Sequence, residues 1–173
     1  MSEFPAIQQH YPDDVAHCYG CGHLNADGHQ IQSRIEGDET VARLTPRPHH
    51  TAIPGYVYGG LIASLIDCHG TGTAAAAGAA YDAADDPATA PALDPAVLAG
   101  DTLMPRYVTA KLEVTYRRPT PLGPELELRG RVRERSARKV IVDITLAVAG
   151  EVTAEGVVVA VRMPENLAGG ETG

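Results

Sequence analysis

Tyr58-Gly59-Gly60-Leu61-Ile62-Ala63-Ser64-Leu65-Ile66-Asp67-Cys68-His69-Gly70-Thr71-Gly72 opens the one long helical stretch of the chain, which runs through an alanine-rich segment to about Ala84. At about 100° per residue, Leu61, Leu65, Cys68 and Gly72 fall within one narrow stripe, flanked by Ile62, Ile66 and His69. Gly60, Ser64, Asp67 and Thr71 lie roughly opposite, bordered by the small Ala63, Gly70 and Ala74. Glycines at 59, 60, 70, 72 and 78 make poor helix material, each costing up to about 1 kcal/mol relative to alanine. Their presence predicts that something packs very close to the helix backbone.

Around this helix the chain reads as strands. Residues 1–28 form an irregular entry segment rich in Pro, Gly, His and Cys. His29 to Leu44 reads as a short hairpin turning at Gly37-Asp38, and Thr45 to Tyr56 as a Pro-rich loop. After the helix, Asp85 to Pro105 is biased towards Ala, Asp and Pro. It reads as an insertion, either a lid or a linker, with a helical turn at Asp94 to Ala99. Then comes strict alternation. Val108, Ala110, Leu112, Val114 and Tyr116 share one face. Leu126, Leu128, Gly130 and Val132 follow the Pro119 to Pro124 turn, then Val140 to Val148 and Val152 to Met163. Alternation with short turns predicts a half-buried antiparallel meander, followed by a flexible tail over 164–173. The order strand–strand–long helix–four strands predicts one α+β domain over 29–163, its antiparallel sheet curled around a central helix.

Composition narrows the partners. The 173 residues fit one domain. Lys+Arg is 14 against Asp+Glu 22, a net charge of −8. That balance weighs against nucleic acid and anionic membrane as partners, both of which need a basic face. No basic segment followed by an apolar run marks a secretory signal, and the most apolar stretch, Val57 to Ala80, carries Asp67 and His69. Three cysteines in such a chain predict a reducing, cytoplasmic setting.

Asp67 is the first carboxylate of the helix and sits on its small, polar side. It is either a solvated position or a cleft carboxylate serving as general base or nucleophile. Gly59 and Gly60 leave unshielded amides at the positive helix start, an arrangement suited to a polarised carbonyl oxygen. Asp67 lies eight residues after Gly59, about 12 Å along the axis. One carbonyl cannot touch both. Joint action therefore predicts two chains with helices side by side and antiparallel, as a homodimer or a dimer of dimers.

The stretch His50-Thr-Ala-Ile-Pro-Gly-Tyr-Val-Tyr-Gly-Gly-Leu-Ile-Ala-Ser-Leu-Ile-Asp67 resembles the hot-dog-fold acyl-CoA thioesterases, the phenylacetate-pathway type in particular. Those proteins show a loop, then His-Gly-Gly, then an apolar helix reaching an acid. Cys18-Tyr-Gly-Cys-Gly-His-Leu-Asn25-Ala-Asp-Gly28 is similar to their entry segment, and Val108 to Pro119 to their first long strand. The resemblance spans Pro12 to Arg162. It implies a hot-dog domain hydrolysing acyl-CoA to acid and free coenzyme A, with no metal and no organic cofactor. By this resemblance Asp67 activates water or attacks the thioester, the Gly59 and Gly60 amides polarise its carbonyl, and Asn25 positions substrate or water. Tyr58 stands where the family usually has His. Its hydroxyl donates with a longer reach, and His50 in the same loop is placed to compensate. Ser64 and Thr71 line the substrate side beside Asp67. Arg135, Arg138 and Lys139, at a hairpin end, read either as a solvated turn or as the holder of coenzyme A phosphates.

The remaining candidates have plain alternatives. His17, Cys18, Cys21 and His23 have zinc-like spacing, for which the resemblance offers a metal-free explanation. Asp67 and His69 form no dyad, because i and i+2 point about 160° apart. His69 reads as a packing or interface residue and Cys68 as a small core hydrophobe. Two rival functions remain: an enoyl-thioester hydratase, which wants Asp and His together, and a non-catalytic acyl-thioester-binding module.

Overall fold

The computed structural model describes residues 5–164, so the expected tail lies, apart from Pro164, outside the described residues. Two short 3-10 turns, Ile7–His10 and Asp13–Val15, lead into the entry segment. Strands β1 (Ser33–Glu36) and β2 (Glu39–Leu44) pair around Gly37, whose φ of +66° suits glycine. Helix α1 spans Gly59–Ala83. Strands β3 (Tyr107–Tyr116), β4 (Leu126–Arg135), β5 (Lys139–Val148) and β6 (Glu151–Arg162) complete a six-stranded sheet in the order β1-β2-β4-β5-β6-β3. Every pairing is antiparallel and the sheet packs on the one long helix. This is the hot-dog arrangement that the sequence predicts.

Two details of the strand reading need correction. Only β4, β5 and β6 form a meander. β2 occupies the free side of β4, so β3 pairs with β6 at the far edge and residues 117–125 cross over instead of closing a hairpin. Second, β3 does not keep one face. A bulge between Thr109 and Lys111 breaks its register with β6. One extra residue exchanges the two faces of a strand. Leu112 and Val114 face inward as predicted, but before the bulge Tyr107 and Thr109 face inward while Val108 is 43% exposed.

The glycines of α1 mark a close approach. A Cβ on Gly70 would lie 2.5 Å from Val158 Cγ2, and one on Gly156 would lie 2.3 Å from Ile66 Cγ2. Helix and β6 thus each give up a side chain where the other presses in. From Gly72 to Ala80 the helix is buried throughout. In its first half, Gly60, Ala63, Ser64, Asp67 and Thr71 are the positions left partly or fully open beyond Gly59. Their spacing puts them on one face that the chain's own sheet does not cover.

His69 faces the opposite way and is sealed in the core. Gln8 Nε2 donates to Ser33 Oγ (3.1 Å), and Ser33 Oγ lies 2.8 Å from His69 Nδ1. His69 Nε2 lies 3.2 Å from Thr40 Oγ1, which bonds Thr73 Oγ1 at 2.5 Å. Thr73 in turn donates to the His69 carbonyl. One neutral tautomer satisfies the whole chain: Ser33 donates to Nδ1 and Nε2–H donates to Thr40. Burial pushes the imidazole pKa down to about 4. The reading of His69 as a packing residue matches this environment.

The 85–105 segment lies against the body of the protein. Leu93, Val97, Leu98 and Met104 are buried, and Asp94 accepts from the Ala96 amide to cap the 3-10 turn Pro95–Leu98. Arg135 holds it in place. Its guanidinium donates to the carbonyls of Pro87, Ala90 and Pro91 at 2.9–3.1 Å and lies 5.4 Å from the Tyr81 ring centroid.

Candidate active site

Asp67 borders a cavity of about 340 Å³ between α1, the entry segment and the start of β3. Thr109 Oγ1 donates to Asp67 Oδ1 at 2.5 Å. The bulge in β3 makes this contact, because without it Thr109 would face outward. The other carboxylate oxygen has no partner among the described residues. The lining is otherwise mostly apolar (Val15, Ala75, Met104 and Pro105 among it). Arg106 lies at its edge, ion-paired with Asp14. A half-buried carboxylate with one oxygen fixed and one open to an apolar cavity can take a proton from water or attack a carbon.

The helix start is a separate place. Tyr58 is the N-cap residue, and no side chain caps the helix. The amides of Gly59 and Gly60 precede the first amide bonded at the helix start, that of Leu61 to the Tyr58 carbonyl, and keep their donor capacity. Tyr116 Oη donates to the Gly59 carbonyl at 2.7 Å, tying the end of β3 to the start of α1. Tyr58 is 58% exposed and its ring lies over Gly60, where a Cβ would sit 2.3 Å from Tyr58 Cε1. His50 is joined to this point by backbone, its carbonyl accepting from the Tyr58 amide at 2.9 Å. Its Nδ1 accepts from the Arg47 amide. Burial, with His49, His29 and Arg47 nearby, holds its pKa below the ordinary imidazole value. Arg47, His29, His49 and His50 border a second, smaller cavity of about 220 Å³.

The other predicted residues are dispersed. Thr71 lines the Asp67 cavity, but its hydroxyl is turned to the Asp67 and Cys68 carbonyls. Ser64 is half-buried beside Gly20, off that cavity. Asn25 donates to the His17 carbonyl and accepts from the Asp27 amide, an Asx turn away from the Asp67 cavity. The proposed phosphate holders do not form a unit. Arg135 is taken up by the 87–91 carbonyls, Lys139 pairs with Glu134 at 2.8 Å, and Arg138 is exposed in the turn. The neighbouring Arg129, Arg131 and Arg133 are ion-paired with Glu39, Glu127, Asp38 and Asp143. Strand alternation puts these side chains near one another, but acids on β2, β4, β5 and the β1–β2 turn neutralise them.

One feature escapes the sequence reading: strand alternation turns Thr109 outward. Cys68 is buried in the core cluster as expected, and its sulfur also lies 3.8 Å from Cys18 Sγ on the wall of the Asp67 cavity. His23, one of the zinc-like quartet, is bonded to the Gln8 carbonyl instead. Hydrogen bonds from Cys21 and Cys68 lower the Cys18 thiol pKa well below its usual value. Cys21, sharing its proton with Cys18, is pushed up to about 12, and Cys68 is raised in the same way.

Known proteins match this chain along most of its length. The family model of the thioesterase superfamily matches residues 54–155. A thioesterase superfamily protein of Shewanella loihica is 43% identical; the match covers 88% of this chain and 98% of that one, with a TM-score of 0.62. A second thioesterase superfamily protein is 21% identical over 91% of this chain and 69% of its own, with a TM-score of 0.60. A Streptococcus mutans protein bound to acetyl-CoA is 15% identical over 82% of this chain and 96% of its own, with a TM-score of 0.54. At their identities the last two speak to the fold alone. No curated protein matches the chain.

Proposed function

The chain belongs to the thioesterase superfamily, and from that premise we propose that it hydrolyses acyl-CoA thioesters to a free acid and coenzyme A. The observation that carries this reading is Asp67, held by Thr109 at the wall of an otherwise apolar cavity. Asp67 takes a proton from water as its oxygen adds to the thioester carbonyl. The oxyanion is received by the Gly59 and Gly60 amides. Collapse breaks the C–S bond, and the coenzyme A thiolate leaves with the proton that Asp67 held.

The two halves of this machinery come from two chains. Strand β3 is an edge strand, with Thr109 at the Asp67 end and Tyr116 at the Gly59 end. Unpaired edges invite pairing with another strand. A two-fold axis through the middle of β3 sets Thr109 of one copy opposite Tyr116 of the other. It thereby sets Asp67 of one beside the helix start of its partner, bridging the roughly 12 Å that separates them within a chain. The uncovered face of α1, with Ala63 and Ser64, packs in that interface.

A Streptococcus mutans protein of the same fold holds acetyl-CoA; coenzyme A is the carrier we propose. Arg47 with His49 and His50, beside the loop that leads to Tyr58, is our assignment for its anionic end, in place of Arg135. Asn25 positions substrate from its own Asx turn across the interface. Three free thiols suit the reducing cytoplasm, and no helix among the described residues is long and apolar enough to cross a membrane. A non-catalytic acyl-thioester-binding module is the second reading, favoured by the Tyr58 ring over Gly60. A hydratase is disfavoured because His69 is sealed away from Asp67.

Thiol release from a panel of acyl-CoAs, by wild type and Asp67→Asn, is the test. Release that depends on Asp67 supports hydrolysis. Binding without release from any chain length leaves the module reading. A sedimenting monomer with full activity removes the two-chain site.

A further inference from the structure

Three sulfurs from two distant parts of the chain meet at one place. Cys18 and Cys21 come from the entry segment and Cys68 from α1, and their Sγ atoms all lie within 4.8 Å of one another. None is in a disulfide. Cys18 and Cys68 Sγ are 3.8 Å apart. Zn–S bonds of about 2.3 Å at the tetrahedral angle put two thiolates about 3.8 Å apart; the Cys18–Cys68 pair already has that spacing, and Cys21, within 4.8 Å of both, needs to close in by at most about 1 Å.

The loop that carries Cys18 and Cys21 is closed by the Gly22 amide donating to the Cys18 carbonyl at 2.8 Å. Gly20 is required there, since a Cβ would lie 2.2 Å from Cys68 Sγ. All three cysteines also line the Asp67 cavity. Three ligands on one wall leave the fourth position of a tetrahedral ion facing that space.

We propose that Cys18, Cys21 and Cys68 bind a thiophilic divalent ion of the zinc class, with its fourth position turned to the Asp67 cavity. The ion clamps the entry segment to α1 and fixes one wall of the cavity. This departs from the expectation of a metal-free chain. The ligand set is also different from the quartet suggested by spacing, because His23 is engaged elsewhere and Cys68, 50 residues on, supplies the third sulfur. The inference does not rest on the hydrolytic reading, since the clamp would serve a binding module equally.

The full chain, reduced and stripped with a chelator, is titrated with Co²⁺ and then Zn²⁺. The expected result is one equivalent per chain, with intense thiolate-to-cobalt charge-transfer and tetrahedral ligand-field bands that Zn²⁺ abolishes by displacement. Cys21→Ser and Cys68→Ser should weaken binding roughly 100-fold or more, while His17→Ala and His23→Ala leave it unchanged. In wild type, bound Zn²⁺ should slow alkylation of all three thiols at least about tenfold, a readout that does not depend on any variant folding. Absence of the charge-transfer bands with three free thiols present overturns the proposal. So does binding that survives Cys68→Ser, or a cluster that only forms an intramolecular disulfide under added oxidant and takes up no metal when reduced again.

Discussion

Asp67 and His69 stand two residues apart on one helix and meet opposite surroundings. His69 points into the core, where Ser33 and Thr40 satisfy both ring nitrogens and burial keeps the imidazole neutral. Asp67 points out of the core, with one oxygen on Thr109 and the other towards a cavity. The difference separates structure from chemistry. A polar group whose every bonding position is filled by the fold holds the fold together. A group left incompletely bonded beside a space is available to a substrate.

Replacing each group should therefore give opposite outcomes. Asp67→Asn is expected to lower the turnover of acyl-CoA by about 10²–10⁴-fold while calorimetry shows a nearly unchanged melting temperature. A large fall in melting temperature would erase the distinction drawn here. His69→Ala is expected to do the reverse. It empties part of the core and removes one hydrogen-bond partner from each of two buried hydroxyls, Ser33 and Thr40, and should cost about 3 kcal/mol or more in chemical denaturation. Turnover per folded molecule should stay within a few-fold of wild type.

Acid sharpens the contrast. His69 titrates near the usual 6.5 in the unfolded chain and at about 4 in the fold. Between these values the unfolded state binds more protons. The stability contributed is thus complete above pH 6.5 and lost as pH falls towards 4, on the order of 3 kcal/mol in all. Denaturation curves of wild type should show this loss and those of a His69→Gln variant should not. The smallest effect is expected from Thr109→Val, which keeps the strand and removes the hydrogen bond to Asp67. Turnover should fall about tenfold, the worth of roughly 1.4 kcal/mol, with stability within about 0.5 kcal/mol of wild type.

The helix, the β1–β2 hairpin and the three-stranded meander were legible because each is written in a local period. Leu61, Leu65 and Cys68 repeat at helical spacing, and Leu126 to Val132 alternate at strand spacing. Asp67 and the Gly59-Gly60 start were legible for the same reason, since a helical wheel separates them from the apolar stripe. What escaped depends on counting or on distance. The bulge after Thr109 changes which strand face is which, and nothing in Tyr-Val-Thr-Ala-Lys announces an extra residue. The Cys18–Cys21–Cys68 cluster joins a loop to a helix turn that only the folded chain brings near. Arg135 sits in a run of alternating arginines, and its sequence does not reveal that the carbonyls of 87–91 converge on it.

The second half of α1 has a thermal consequence. Ala74, Ala75, Ala76, Ala77, Ala79 and Ala80 are all buried, and none has a side-chain torsion to freeze. Leucines in their places would each give up about 0.5–1 kcal/mol of rotamer entropy on folding. Over the six alanines this amounts to roughly 3–6 kcal/mol of ordering that the chain never has to supply. These six side chains are therefore as ordered before folding as after it. What folding must fix there is the backbone and the branched residues of the sheet that close around it.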